Sequence, residues 1–158
     1  MKATFVMLAL LIPGFASAEL VQKGQPFPAY TLPNPHGVTN TLKSSTRAVI
    51  ISSEKDVSGM VRDWLLTKKT DFLEQHRAEY VADITPMPAI ITTLFAMPKM
   101  KKYPFPMLLA DDPQFATVYP NQKGRIALFL LDDQRVVQAI HFLAKAEDLD
   151  PLLNRASD

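Results

Sequence analysis

The sequence predicts an α/β fold, a mixed β-sheet flanked by helices on both faces, and three observations predict it. Ala48 to Ser52 is a compact Ala-Val-Ile-Ile-Ser run with no polar alternation, the pattern of a central strand covered on both sides. Directly after it, Val57, Met60, Val61, Trp64 and Leu65 recur at helical spacing, which makes a strand-to-helix crossover. Near the end, Arg125 to Leu131 and Arg135 to Phe142 are strand-length apolar runs separated by Asp132-Asp133-Gln134, a hairpin turn by composition. Crossovers make parallel pairs and hairpins make antiparallel ones, so the sheet must be mixed.

The other elements follow in order. Ala29 to Leu32 is a short strand, Pro33, Asn34, Pro35 and Gly37 turn the chain, and Val38 to Leu42 pairs back. After the central run, Asp56 is the expected N-cap of a helix that continues through Phe72 and Leu73 to about Arg77, with Lys68, Lys69 and Asp71 on its solvated side. Tyr80 to Ile84 is the next strand. Thr85 with Pro86 or Pro88 opens a second helix, its apolar stripe being Ile90, Ile91, Leu94, Phe95 and Met97, and Pro98 closes it. Met107 to Ala110 is a strand, Gln114 to Tyr119 a short helix, and Ala144 to Leu153 the closing helix.

The chain contains no cysteine. Thiol–disulfide exchange, sulfur-based peroxide reduction, disulfides and zinc–thiolate sites are therefore all excluded. Residues 1–18 have the parts of a secretory signal peptide: Lys2, an apolar run from Phe5 to Ile12, Pro13-Gly14 as a break, and Ala16-Ser17-Ala18 as a small-residue cleavage site. That run is well short of the ~20 apolar residues that span a bilayer. The expectation is a leader over 1–18 and a single domain over 19–158, soluble and periplasmic or secreted. Loss of Lys2 leaves sixteen basic and sixteen acidic residues, a balance that points to no nucleic acid. About 140 residues remain, 47% of the whole chain being hydrophobic, which is enough for one real core and argues against disorder. The five glycines form no phosphate-binding turn, so no nucleotide, flavin or other cofactor is expected. His36, His76 and His141 with Asp111, Asp112, Asp132 and Asp133 match no metal-ligand spacing; paired Asp beside Pro or Gln is turn chemistry, and no metal is expected.

Four stretches carry a resemblance. They are Lys23-Gly24-Gln25-Pro26-Phe27-Pro28-Ala29-Tyr30-Thr31-Leu32, then Pro35-His36-Gly37-Val38-Thr39-Asn40-Thr41-Leu42, then Tyr103-Pro104-Phe105-Pro106-Met107-Leu108-Leu109-Ala110-Asp111, and Gly124-Arg125-Ile126-Ala127-Leu128-Phe129-Leu130-Leu131-Asp132. In this order and spacing the chain resembles the thioredoxin-like superfamily, in the branch of the periplasmic reductases and the peroxiredoxins. The resemblance implies a thioredoxin-like mixed sheet. It also places Ser58-Gly59-Met60-Val61 where that family carries Cys-x-x-Cys, and Ile126 where it carries a cis-proline. A serine hydroxyl has none of the acidity that a helix N-terminus confers on a thiol, and Val61 cannot resolve a mixed disulfide. A non-proline cis bond costs roughly 2.5–4 kcal/mol, so Ile126 is expected to be trans.

The candidate binding residues are Glu54, Lys55, Asp56 and Ser58, a polar loop at the head of the first helix, with Arg125 and Ile126, which the resemblance implies lie beside it. Exposed amides there would receive an anion or a partner carboxylate, or water alone. Ser58 is either a nucleophile or a first-turn residue bonded to backbone amides; no histidine motif ties a general base to it, and no catalytic residue is assigned. Lys99, Lys101 and Lys102 beside Tyr103 could touch an acidic partner or a membrane phosphate, or simply offset a helix dipole. Met87, Phe95, Met97, Met100, Tyr103 and Phe105 are core residues or, if exposed together, an adaptable recognition patch. The functional expectation, by the resemblance, is a redox-inactive binding or chaperone-like module that holds another periplasmic protein or peptide segment by backbone pairing at the family's substrate surface, here the Ser52 to Met60 loop, the segment before Ile126 and nearby apolar residues. No stable membrane insertion is expected once the leader is removed. The alternative is a non-sulfur enzyme, or a protein binding a cofactor such as a flavin, in the same cleft.

Overall fold

All five residues of β3 (Ala48–Ser52) are buried, and this strand lies at the centre of a five-stranded sheet. The computed structural model describes residues 19–157, so the leader expected over 1–18 lies outside the described residues. The sheet order is β5 (Leu108–Ala110), β4 (Ala78–Asp83), β3, β6 (Ile126–Leu131) and β7 (Val137–Leu143). β3 runs parallel to β4, and β4 to β5, while β6 is antiparallel to both β3 and β7. β1 (Thr31–Pro33) and β2 (Thr39–Thr41) form a separate antiparallel hairpin.

Period-two alternation divides the strands between two cores. Ala48, Ile50, Tyr80, Ile126 and Leu128 point to one face, where α1 (Lys55–Leu66), α2 (Phe72–Gln75) and α6 (Leu149–Ser157) supply Val61, Trp64, Leu73 and Leu153. Val49, Ile51, Val81, Ala127 and Phe129 point to the other. That second face is covered by the N-terminal segment, the β1–β2 hairpin and α5 (Phe115–Val118), with Phe27, Tyr30, Phe115 and Tyr119 meeting in a cluster of edge and tilted ring contacts. Glu79 of β4 ties the hairpin down, accepting hydrogen bonds from the Tyr30 hydroxyl, the Thr46 hydroxyl and the Lys43 amide. Burial, and then the Glu79 carboxylate, hold the Tyr30 phenol far above its ordinary pKa.

Four departures from the sequence expectation concern the first two expected helices. The first helix begins at Lys55 with Glu54 as its N-cap, so Asp56 sits in the first turn, where a carboxylate favours the helix dipole. That helix stops at Leu66, because the Thr67 hydroxyl and amide both turn back to the Trp64 carbonyl. Phe72 and Leu73 still pack, but from the separate α2. Lys68 is not simply solvated: it pairs with Asp150 at 2.7 Å and lies over the rings of Trp64 and Phe72.

The fourth departure is the second helix. It runs as α3 (Ala89–Ile91), a π-helical stretch (Thr92–Ala96) and α4 (Met97–Met100), so Pro98 does not close it. A wider turn just before Pro98 accommodates a residue that has no N–H and whose ring needs space. The apolar stripe expected to pack is instead in solvent: Ile90 is 65%, Ile91 43%, Leu94 59% and Phe95 60% exposed. Of the apolar residues of this segment, Met97 and Met100 rest against the core, and Thr92 is buried.

Candidate functional site

The strand-to-helix junction is the natural place for chemistry in a sheet of this kind, because β3 ends where α1 begins and the backbone must expose polar groups. Ser52 closes β3 and is fully buried. Its hydroxyl shares hydrogen bonds with Ser58 Oγ and with Tyr80 Oη, each at 2.8 Å. Burial pushes the Tyr80 phenol up to about 12, against a smaller downward pull from Ser52 and Ser58. The three hydroxyls form a chain, Ser58–Ser52–Tyr80, from the helix head into the sheet. Ser58 thus bonds another side chain and not the backbone amides expected of a first-turn serine. None of the three histidines adjoins it: His76 bonds the Phe72 carbonyl and Asn154, His36 sits in the β1–β2 turn, and His141 lies on β7. The Ser58 hydroxyl therefore has no histidine beside it to act as its base.

The remaining candidates divide. Glu54, Lys55 and Ser58 line one cleft. Glu54 is engaged, its carboxylate accepting the Gly124 N–H at 2.5 Å. This joins the head of α1 to the loop before β6, where Gly124 takes φ +69°, a conformation that glycine adopts without a Cβ clash. Arg125 is exposed and its amide donates to the Gln122 carbonyl. Ile126 is fully buried, and its peptide bond is trans like every other among the described residues. Asp56 is exposed but does not line the cleft.

The cleft itself has a volume of about 590 Å³. One wall is the head of α1, with Lys55, Ser58 and Arg62; the other is the 89–100 segment, with Ile91, Phe95 and Lys99; Tyr80, Phe105 and Met107 lie beneath. This size and mainly apolar lining are typical of sites that take a ligand or a side-chain anchor. Tyr80 and Asp83 were not among the sequence candidates, and Ser52 entered only as the first residue of the loop running to Met60. A polar residue ending a wholly apolar strand was the available signal, since a buried hydroxyl requires a partner. Among the described residues no group of three or more His, Asp or Glu could hold a metal, and Asp112 and Asp132 accept backbone amides in their own turns.

Comparison with known proteins now decides the architecture. The thioredoxin domain of a thiol-disulfide oxidoreductase from Bacteroides vulgatus matches with a TM-score of 0.60 at 14% identity, over 87% of this chain and 99% of that one. A peroxiredoxin-like protein from Aquifex aeolicus matches at 0.57 and 8% identity, over 87% and 86%. A thio-disulfide isomerase from Thermus thermophilus matches at 0.52 and 21% identity, over 86% and 97%. The fold is thioredoxin-like. No family model matches the sequence, and no curated protein matches it either. At these identities the likeness is one of backbone alone. A thioredoxin-like chain without cysteine cannot perform the thiol chemistry that the Bacteroides and Thermus proteins are named for. At the head of α1, hydroxyl groups bonded to one another occupy the junction. Among the described residues no helix is long and apolar enough to cross a membrane.

Proposed function

We propose that this chain is an exported thioredoxin-like binding protein without redox chemistry, holding a segment of another periplasmic protein in the cleft between α1 and the 89–100 segment. The observation that carries this reading is the exposure of Ile91 and Phe95 on one wall of a mainly apolar cleft. Large apolar side chains gathered at a concave surface are the usual anchor sites for a partner. The mode differs from the strand pairing expected at first. The amides of Gly124 and Arg125 already donate within the molecule, so neither is free to pair with an incoming strand, and the exposed apolar wall favours recognition by side chains in the cleft. Export rests on the leader-like residues 1–18.

The test places a photo-crosslinking amino acid at Phe95, or at Asp133 on the β6–β7 turn as control, in the full chain expressed in its own host. The expected result is a specific adduct from position 95 only, in the periplasmic fraction, with the mature protein beginning at Glu19. Adducts of equal yield from both positions, or none from 95, would overturn the binding reading, and an unprocessed cytoplasmic product would overturn export. Insulin-disulfide reduction by the pure protein is expected to be nil.

A further inference from the structure

We infer that the segment held in the cleft is acidic as well as apolar, an inference that rests on the binding function just proposed. From Ile84 to Ala110 the chain carries no carboxylate and three lysines, Lys99, Lys101 and Lys102, although its overall totals of 17 basic and 16 acidic residues nearly cancel. The same bias holds in the cleft. Its carboxylates are both engaged: Glu54 accepts the Gly124 N–H, and the buried Asp83 accepts the amide and hydroxyl of Thr85. Its lysines are not. Lys55 and Lys99 are exposed, stand on opposite walls, and take part in no ion pair among the described residues.

Ile91 and Phe95 line the same cleft as these cations, and Ile90 and Leu94 of the same segment are exposed as well. An occupant that fits must bury apolar side chains and present negative charge to both walls. One fatty carboxylate would satisfy a single lysine. Cations on two walls, continued by Lys101 and Lys102, call for several carboxylates spaced along a chain, which a peptide supplies. Complementary charge of this kind selects partners and speeds encounter, and it repels basic segments.

The test is selection of phage-displayed dodecapeptides against the full mature protein, in parallel with the Lys55→Glu/Lys99→Glu variant. Both substitutions are at exposed positions, and circular dichroism checks that the variant folds. The expected winners intersperse Asp and Glu with Leu, Ile, Phe or Met, bind the variant about tenfold or more weakly, and lose affinity as salt rises. Winners selected on the variant should turn basic. Enriched peptides with no acidic bias, or equal binding to both proteins, would overturn the inference while leaving the binding function standing. No enrichment over a Phe95→Asp control would overturn both. Sedimentation of the wild type, but not the variant, with phosphatidylglycerol vesicles in the absence of any peptide winner would assign the surface to lipid and likewise overturn the inference.

Discussion

Removing the Ser52 hydroxyl tests the hydroxyl chain at the β3–α1 junction directly. Ser52 is fully buried and lies 2.8 Å from Tyr80 Oη. Ser52→Ala leaves that buried phenol without its partner, and an orphaned buried donor costs about 1–3 kcal/mol. Tyr80→Phe removes the phenol oxygen together with its need, while Ser52 keeps Ser58 at 2.8 Å, so its cost should be nearer 1 kcal/mol. The double variant should then cost little more than Ser52→Ala alone, because the second change deletes the group that the first one stranded. The resulting interaction energy is about 1 kcal/mol, above the roughly 0.3–0.5 kcal/mol scatter of independent sites. Urea unfolding of the four proteins measures it, with the midpoint moving and the slope constant. Additivity within that scatter would refute the reasoning and show the three hydroxyls to be neighbours without coupling.

The same phenol makes stability depend on alkaline pH. Tyr80 is held at about 12 against an ordinary 10, so its contribution is full below pH 10 and is lost as pH rises from 10 through 12, in all about 2–3 kcal/mol; thermal melts from pH 8 to 12 should fall less steeply for Tyr80→Phe. Trp64→Ala should cost about 3–5 kcal/mol in urea unfolding, since the ring is buried against Phe72 and its Nε1 donates to Asp150 at 3.2 Å. Gly124→Ala should cost about 1 kcal/mol or more, because φ is +69° and a Cβ there is strained even though nothing crowds it; a change below 0.3 kcal/mol in the same assay would contradict that. Ile90→Gln/Leu94→Gln should leave the unfolding midpoint within about 0.5 kcal/mol of wild type, as both side chains face solvent, and a larger loss would mean that they pack.

Much of the sheet was legible because its cause is local. Ala48 to Ser52 forms β3 with the bounds its composition suggests, since a run built on Val49, Ile50 and Ile51 with no charged residue has few other places to go. The hairpin of β6 and β7 was legible through Asp132, whose carboxylate accepts the Gln134 and Val136 amides of the turn. Within the candidate site, Glu54, Lys55 and Ser58 could be named from their position at a helix head. That Glu54 would reach the Gly124 amide, seventy positions further along, could not. Nor could Ser52 and Tyr80 be paired, because their contact depends on the register of β3 against β4, which aligns Ile50 with Tyr80.

What the sequence by itself determined is chemical and periodic. A chain without sulfur nucleophiles performs no thiol chemistry in any fold, and strand alternation divides the buried residues between two faces wherever the sheet forms. Only the tertiary structure decided what covers each face. The helical spacing of Ile90, Ile91, Leu94 and Phe95 states that these residues share a side and is silent on what lies against it. In the folded chain α1, α2 and α6 supply most of the helical side of the core on that face of the sheet, and the 89–100 segment adds Met97 and Met100 to it and buries Thr92. A helix whose apolar side finds the core already filled must leave that side to solvent or to a partner, and no local pattern can report which neighbours have arrived first.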